Sequence, residues 1–460
     1  MNRLNYIVNY IIKHCKFNIN DDDIIVNIKD QLDVFYPDVY YTKELINNIL
    51  LLPKDDLKKR YYFETLEERE EYYEEYAKTK KISKINQNKW NQYIKLRNIP
   101  QPVQKSKEWF DARNNMITAS AAADILHLNK YKGKYGPECF LIDKLGYSKF
   151  LENENVFHGK KYESVATMIY EHIYNVKIGE FGLIPHFNYE FLGASPDGIA
   201  TNLTLDYNES QKVGRMLEIK CPNRREIKTS GIENKDICPI YYWVQVQLQL
   251  ECCDLEECDF WQCNILEYDN IEEWLSNTDN FEEKYTEEQN INIEFDNKYK
   301  MGMIVQFLPI SELELPKDQK IEWYGKYIYP PGLDYSIDEY KKWTEYIIEK
   351  YSKTNLKIED KEYKFDKILY WKLENSHNYL IKRDKKWFTD NIEEFREFWY
   401  NKVVYYRNNI KEFEEYINKI GFYKENNYVH IDQVKQQEYW KKRNEQKNKI
   451  DLKKSMFIKE

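Results

Sequence analysis

Glu218 and Lys220 stand two apart in an otherwise apolar run, Leu217-Glu218-Ile219-Lys220-Cys221-Pro222. Alternate residues of a β-strand share a face, so a carboxylate and an ammonium project together while Leu217 and Ile219 face a core. Upstream, Gly193-Ala194-Ser195-Pro196-Asp197-Gly198 puts Asp197 in a tight turn, with Gly198 free to take dihedrals that other residues resist. If Asp197 closes on Glu218, two carboxylates and one lysine converge at a strand. Two oxygen ligands and a few waters are a usual way to hold Mg²⁺ beside a phosphate. A lysine next to that ion can steer and deprotonate an attacking water and offset developing negative charge. The bland alternative is a turn aspartate and a surface ion pair on an edge strand, because an acid followed by Glu-x-Lys is a short pattern.

The flanking elements bear on that choice. Ser106 caps a short helix through Arg113, and Ile117-Thr118-Ala119-Ser120 leads into a predicted helix over Ala121–Leu128. If the short helix folds back, Arg113, the Ser120 hydroxyl and the free N–H groups of the next helix could grip one phosphate. The alternative for Arg113 is a surface charge. Further helices are predicted over Pro137–Leu145 and around Phe157–Tyr170, the latter with Val165, Ala166, Ile169 and Ile173 on one stripe. Glu163 is the polar exception beside the stripe, either exposed or aimed at the acidic cleft. Strands are expected over Lys177–Pro185, Phe191–Ala194, Ile199–Leu205, Arg215–Cys221 and Cys258–Leu266, with a helix over Pro239–Leu250. In that helix Gln245 and Gln249 share a face and can donate to carboxylates without adding charge, whereas Gln247 points elsewhere. This order of elements predicts an α/β (α+β) fold, a mixed central sheet flanked by helices.

The 460 residues allow two or three domains, and a net charge of −9 gives no global field for nucleic acid, so any such site is a local patch. No apolar run approaches the ~20 residues that span a bilayer, and the amphipathic start lacks signal-peptide features, so a soluble intracellular protein is expected. Cys252, Cys253, Cys258 and Cys263 have spacings unsuited to a tetrahedral metal site and read as buried thiols.

Five motifs in order resemble the lambda-exonuclease type of viral recombination nuclease, the YqaJ group of the PD-(D/E)XK superfamily. They are Ser106-x-Glu108-Trp109 through Arg113 to Ile117-Thr118-Ala119-Ser120, Gly159 with Glu163, Gly193-x-Ser195-Pro196-Asp197-Gly198, Leu217-Glu218-Ile219-Lys220-Cys221-Pro222, and Tyr242-x-x-Gln245-x-Gln247. The resemblance covers Pro102 to Leu266 and implies a restriction-endonuclease-like core in a protein of a large DNA virus. It also implies a Mg²⁺-dependent deoxyribonuclease, Mn²⁺ able to substitute, that degrades double-stranded DNA ends 5′ to 3′ in replication and recombination. By resemblance, Asp197, Glu218 and the Ile219 carbonyl ligate metal, and Lys220 positions or activates the water. Glu163 and Gln245 join the catalytic set, Tyr242 lines it, and Arg113, Ser120 and Ser195 hold the 5′-phosphate. A structure-specific endonuclease of the same fold and a catalytically silent DNA-binding module are the alternatives. Implied partners are DNA ends and a single-strand annealing protein, with no membrane, in the host cytoplasm or nucleus or in the virion. Ring-shaped trimers occur in the family, but about 100 residues in front of the matched segment and nearly 200 behind it argue against the same ring here.

The expected domains are a helical extension (1–100), the nuclease core (101–270), an insertion (271–365), a strand pair with a long helix (366–425) and a basic tail (426–460). In the fourth, Ile368–Leu373 and Tyr379–Arg383 are expected to form a hairpin, followed by one helix over Thr389–Ile420. The lysine-rich tail reads either as a DNA contact through phosphates or as a solvated helix.

Overall fold

The computed structural model describes residues 66–102, 106–146, 154–268, 270–276, 300–313, 325–333, 335, 337–358 and 361–422, with Ile28 and Leu32. The amphipathic start and the basic tail lie outside the described residues. The chain divides into two compact units, Met1–Thr79 with Glu267–Trp371, and Lys80–Leu266 with Lys372–Glu460. No described helix is long and apolar enough to cross a membrane.

The second unit holds the residues of interest. Its helices are α1 (Gln87–Arg97), α2 (Lys107–Asn114), α3 (Ala122–Ile125), α4 (Gly136–Lys144), α5 (Glu154–Tyr174) and α6 (Ile240–Cys253). Its strands are β1 (Ile117–Thr118), β2 (Ile178–Gly179), β3 (Ile184–Pro185), β4 (Leu192–Ala194), β5 (Gly198–Ala200), β6 (Met216–Lys220) and β7 (Glu257–Tyr268), the last two residues of β7 belonging to the first unit. The order β2-β5-β6-β7 sets β6 between an antiparallel and a parallel neighbour, Gly198 opposite Leu217 and Glu218 opposite Phe260. This is the mixed α/β sheet flanked by helices that the sequence predicts. A separate three-stranded sheet, β1-β4-β3, pairs Thr118 with Gly193 and Ile184 with Ala194. Helix α5 packs on β6, and the Trp261 indole on β7 donates to the Ala166 carbonyl at 3.0 Å. The stripe residues Val165, Ala166 and Ile169 are fully buried there, as the helical spacing demands.

Two glycines are fixed by close approach. A Cβ on Gly193 would lie 2.1 Å from Met116 Sδ, and one on Gly198 would lie 2.2 Å from Ile178 Cγ2. Gly198 is not among the positive-φ residues. Packing against β2, and not the dihedral freedom expected of it, is what requires glycine at that position.

Several local expectations are corrected. Lys177–Pro185 forms two short strands in different sheets, β2 and β3. The strand expected over Ile199–Leu205 ends at Ala200, where the Thr201 hydroxyl accepts from the Leu203 N–H at 3.1 Å and turns the chain. The helix expected over Ala121–Leu128 shortens to a 3₁₀ turn (Ala119–Ala121) and α3, with His127 at φ 55° ending it. The expected hairpin is instead one strand, β11 (Lys361–Lys382), which follows β8 (Met301–Pro309), β9 (Lys326–Ile328) and β10 (Leu356–Ile358). Asn375–Asn378 favours a turn locally, but a sheet neighbour that takes the extended backbone overrides that propensity. In the first unit, β8 and β9 pair antiparallel and pack Val305, Phe307, Trp343 and Ile347 into a core with the helix Ile337–Thr354.

The long helix also departs from expectation. It starts earlier, as α7 (Lys385–Phe398), widens into a π-helical stretch (Trp399–Val404), continues through Tyr405–Asn408 and breaks at Asn409 (φ −132°, ψ 55°) before α8 (Ile410–Lys419). The amides of Asn408 and Asn409 donate back to the Val404 and Tyr405 carbonyls at 3.0 and 2.9 Å. Such side-chain bonds compete with the helical ladder.

Candidate active site

Both faces of β6 are covered, so Glu218 is fully buried, at 0 % exposure. A carboxyl group is tolerated there only when its oxygens are hydrogen-bonded. Three donors reach it. The Lys220 ammonium pairs with Oε1, Gln245 Nε2 donates to Oε1 at 2.6 Å, and Gln249 Nε2 donates to Oε2 at 2.7 Å. One turn of α6 separates the two glutamines, so helical spacing delivers an amide to each oxygen. Gln249 also reaches the Ser195 carbonyl at 3.3 Å.

The turn before β5 brings in the second acid. Asp197 Oδ2 accepts the Ile219 N–H at 2.6 Å, which ties the turn to the strand bearing Glu218 and Lys220. Burial of the Asp197 carboxyl, then the charges of Glu218 and Glu163, push its pKa well above the carboxylate range; Lys220 and the Ile219 N–H only partly oppose them. Glu163, on α5, is thus within electrostatic reach of Asp197. Burial alone would lower the Lys220 pKa, but Glu218 and Asp197 together raise it, so the amine is held as ammonium. Its Nζ lies 4.7 Å from the centre of the Tyr242 ring. The surface-ion-pair alternative fails here, because Glu218 is enclosed.

Asp197, Glu218 and the Ile219 carbonyl form a set of hard oxygen donors, the kind Mg²⁺ or Mn²⁺ takes. Among the described residues no cluster of three or more His, Cys, Asp or Glu side chains is grouped to hold a metal. Two carboxylates and a carbonyl still fit a cation that keeps most of its waters, and the repulsion felt by Asp197 is what a cation would relieve. The other buried acid nearby, Asp259 on β7, is spent on structure: Lys212, Arg215 and Tyr170 bond to it at 2.7, 2.7 and 2.5 Å. The described cysteines are free, and Cys252, Cys253, Cys258 and Cys263 are buried.

A second cluster lies across the small sheet. Ser106 caps α2 by accepting from the Trp109 N–H at 3.1 Å, and at the other end Arg113 Nη2 donates to Ser120 Oγ at 3.3 Å. The Arg113 guanidinium stacks 4.4 Å over Trp109, half-buried, while Ser120 is exposed. The expected fold-back of Arg113 onto Ser120 therefore occurs. The helix start does not take its expected form, since Ser120 lies inside the 3₁₀ turn and the four-residue α3 follows it. The Ser195 Oγ is buried without a hydrogen-bond partner. It stands by Gln249, on the acidic side. The two clusters are joined through β1 and β4, which pair Thr118 with Gly193, and through α6, which packs on the 3₁₀ turn, α3 and β4.

Gln249 is the functional side chain outside the motifs. Its spacing from Gln245 is the sequence signal that finds it. Gln247, inside the motif, does something else: it is 1 % exposed, donates to the Lys382 carbonyl at 2.9 Å and accepts the Asp384 N–H at 2.7 Å, pinning the end of β11 to α6.

Comparison with known proteins agrees with the motif pattern. "Uncharacterized protein R354" of Acanthamoeba polyphaga mimivirus is 36 % identical over 315 residues, 68 % of this chain and 55 % of the viral protein. The chain thus spans about half the length of that curated relative. The crystal structure of an alkaline exonuclease (LHK-Exo) from Laribacter hongkongensis aligns at 17 % identity over 67 % of this chain and 97 % of that one, with a TM-score of 0.35. The same enzyme in complex with dAMP gives a TM-score of 0.33 at 17 % identity, over 68 % and 98 % of the two chains; likenesses this slight bear no weight. Residues 108–256 match the family model of the YqaJ-like viral recombinase domain, and over that segment, which holds all the residues of both clusters, the chain carries a domain of this family.

Proposed function

We propose that the chain is a metal-dependent DNA exonuclease, acting 5′ to 3′ on double-stranded ends in viral recombination. The observation that carries the reading is the junction of Asp197, Glu218 and Lys220 on β5 and β6, with Gln245 and Gln249 donating to the buried acid. Asp197, Glu218 and the Ile219 carbonyl would hold Mg²⁺, or Mn²⁺ in its place, and the bound ion would polarise the scissile phosphate and acidify a water. Lys220, held as ammonium against Tyr242, orients the attacking water and offsets negative charge that grows on the phosphoryl oxygens. Gln245 and Gln249 fix the carboxylate so that no side-chain reorganisation is needed during the reaction. Glu163 adds negative charge on the α5 side. Arg113 and Ser120 hold the 5′-phosphate through charge-assisted bonds, and the unpartnered Ser195 hydroxyl is free to give one more. DNA ends are the proposed substrate, and a single-strand annealing protein, which would cover the 3′ tail, is the proposed partner.

The test uses linear duplexes labelled at the 5′ or the 3′ end, and a closed circle, with Mg²⁺, with Mn²⁺ and with chelator. Early release of 5′-labelled mononucleotide, an intact circle, silence under chelator and loss of activity in Lys220→Ala are expected. Nicking of the circle would favour the endonuclease. Equal inactivity of wild type and Lys220→Ala in both metals would leave a DNA-binding module.

A further inference from the structure

The carboxyl end of α2, which presents Arg113, is held by two cations from distant parts of the chain. Lys144, at the end of α4 and 6 % exposed, donates from Nζ to the Arg113 carbonyl at 2.6 Å. Arg407, four residues beyond the start of the π-stretch's last turn at Val403, donates from Nη2 to the Asn114 carbonyl at 2.6 Å and to the Lys144 carbonyl at 3.3 Å. Its Nη1 donates to Asn115 Oδ1 at 3.2 Å. Arg407 itself is half-buried, its guanidinium 5.4 Å over the Trp399 ring. A helix leaves its last carbonyls without intrahelical donors, and its negative end favours cations. Most helices meet that need with water or a glycine turn. Here a residue 293 positions away meets it, and it touches the backbone of the residues that follow Arg113 on both sides of the corner.

We infer that Arg407 is a positioning residue for the 5′-phosphate grip: it fixes the end of α2 against α4 so that the Arg113 guanidinium stays on Ser120. The inference rests on the proposed phosphate-binding role of Arg113. Arg407 does not touch the phosphate. Removing it leaves the Asn114 carbonyl and the Asn115 side chain without their donor and lets the last turn of α2 drift, while Lys144 still holds Arg113 O. Displacement of a gripping group by about 1 Å can cost on the order of a hundredfold. A purely architectural Arg407 would change melting without changing what the end of the DNA must carry.

The test is equilibrium binding of the full chain, in chelator so that nothing turns over, to a loop-labelled DNA hairpin whose open end carries either 5′-phosphate or 5′-hydroxyl. Wild type should prefer the phosphorylated end, Arg407→Ala should lose about tenfold of that preference, and Arg407→Lys should recover part of it. In an Arg113→Ala background, adding Arg407→Ala should change the preference no further, as expected of two residues acting through one contact. If wild type prefers the phosphate and Arg407→Ala keeps the full preference, the inference is overturned while the reading of Arg113 stands. If wild type itself is indifferent to the phosphate, both fall. Should Arg407→Ala fail to fold, Asn115→Ala removes the Nη1 contact alone and should weaken the preference in the same direction; an unchanged preference there overturns the inference as well.

Discussion

Two buried glutamines on one helix offer a sharp test, because they are alike in type and burial and differ only in what they hold. Gln247 and Gln249 are each 1 % exposed. Gln249 gives Glu218 Oε2 its donor at 2.7 Å, whereas Gln247 bonds only main-chain groups at Lys382 and Asp384. Gln249→Leu leaves a carboxyl oxygen unpaired in a water-free strand environment, a loss of about 1.5–3 kcal/mol for a hydrogen bond to a charged group. Gln247→Leu removes two neutral bonds and should cost a similar stability, about 1–3 kcal/mol. Catalysis should separate them. If the unpaired oxygen lets the Glu218 carboxylate rotate off its axis, transition-state stabilisation of the same size is lost, and kcat falls about tenfold to a hundredfold. Gln247→Leu should keep kcat within about twofold of wild type. Urea unfolding gives the first comparison, and steady-state release of acid-soluble nucleotide gives the second. A Gln249→Leu enzyme as fast as wild type, or a Gln247→Leu enzyme as slow, would refute the claim that α6 acts as the carboxylate's holder.

Burial, aided by Arg113 and Arg407, draws the Lys144 amine down to about 8 against the opposing charge of Asp143. The unfolded chain then binds more protons than the folded one from about pH 8 to the ordinary lysine value, so stability should rise with pH across that window, by at most about 3 kcal/mol. Lys144→Met should flatten the rise in unfolding measurements made at its two ends. Glu251 runs the other way: despite burial, His186 and Arg383 hold it down at about 2, so its contribution is present above the ordinary glutamate value and is lost as pH falls towards 2. Acid unfolding of Arg383→Gln should therefore begin at higher pH than that of wild type. Gly198→Ala drives a methyl into Ile178 Cγ2 and should cost about 1–3 kcal/mol as overpacking, together with activity, because Asp197 is the neighbouring residue; an unchanged melting temperature would contradict the packing.

What could be read in advance follows from how local each constraint is. The acids and the lysine were legible because strand alternation puts Glu218 and Lys220 on one side and the Pro-Asp-Gly turn precedes a strand that must pair with theirs. The closure of Asp197 on the Ile219 N–H is the register of β5 on β6 made visible. Gln249 was legible as a partner of Gln245 by helical spacing, though nothing local said that both would meet one carboxylate. The errors lie where partners far away in sequence decide the outcome. Asn375–Asn378 carries turn residues and stays extended in a sheet. Gly198 looks like a turn glycine and is required by Ile178, on another strand. The break at Asn409 depends on two asparagines bonding backwards, which composition does not distinguish from solvent exposure. Neither charge patterning nor periodicity indicated that Arg407 would cap α2.

The widened turn at Trp399–Val404 has a consequence for how this chain can vary. A π-turn accommodates one residue more than regular winding would, and is in effect an insertion absorbed without breaking the rod. Excising any single residue there would let the rod rewind and would swivel everything downstream by roughly 100°. Arg407 would then face away from α2 although every side chain that matters had been retained. Length in this stretch is therefore under tighter selection than identity, and frame-preserving losses of one codon should be rarer among its relatives than substitutions at the same sites.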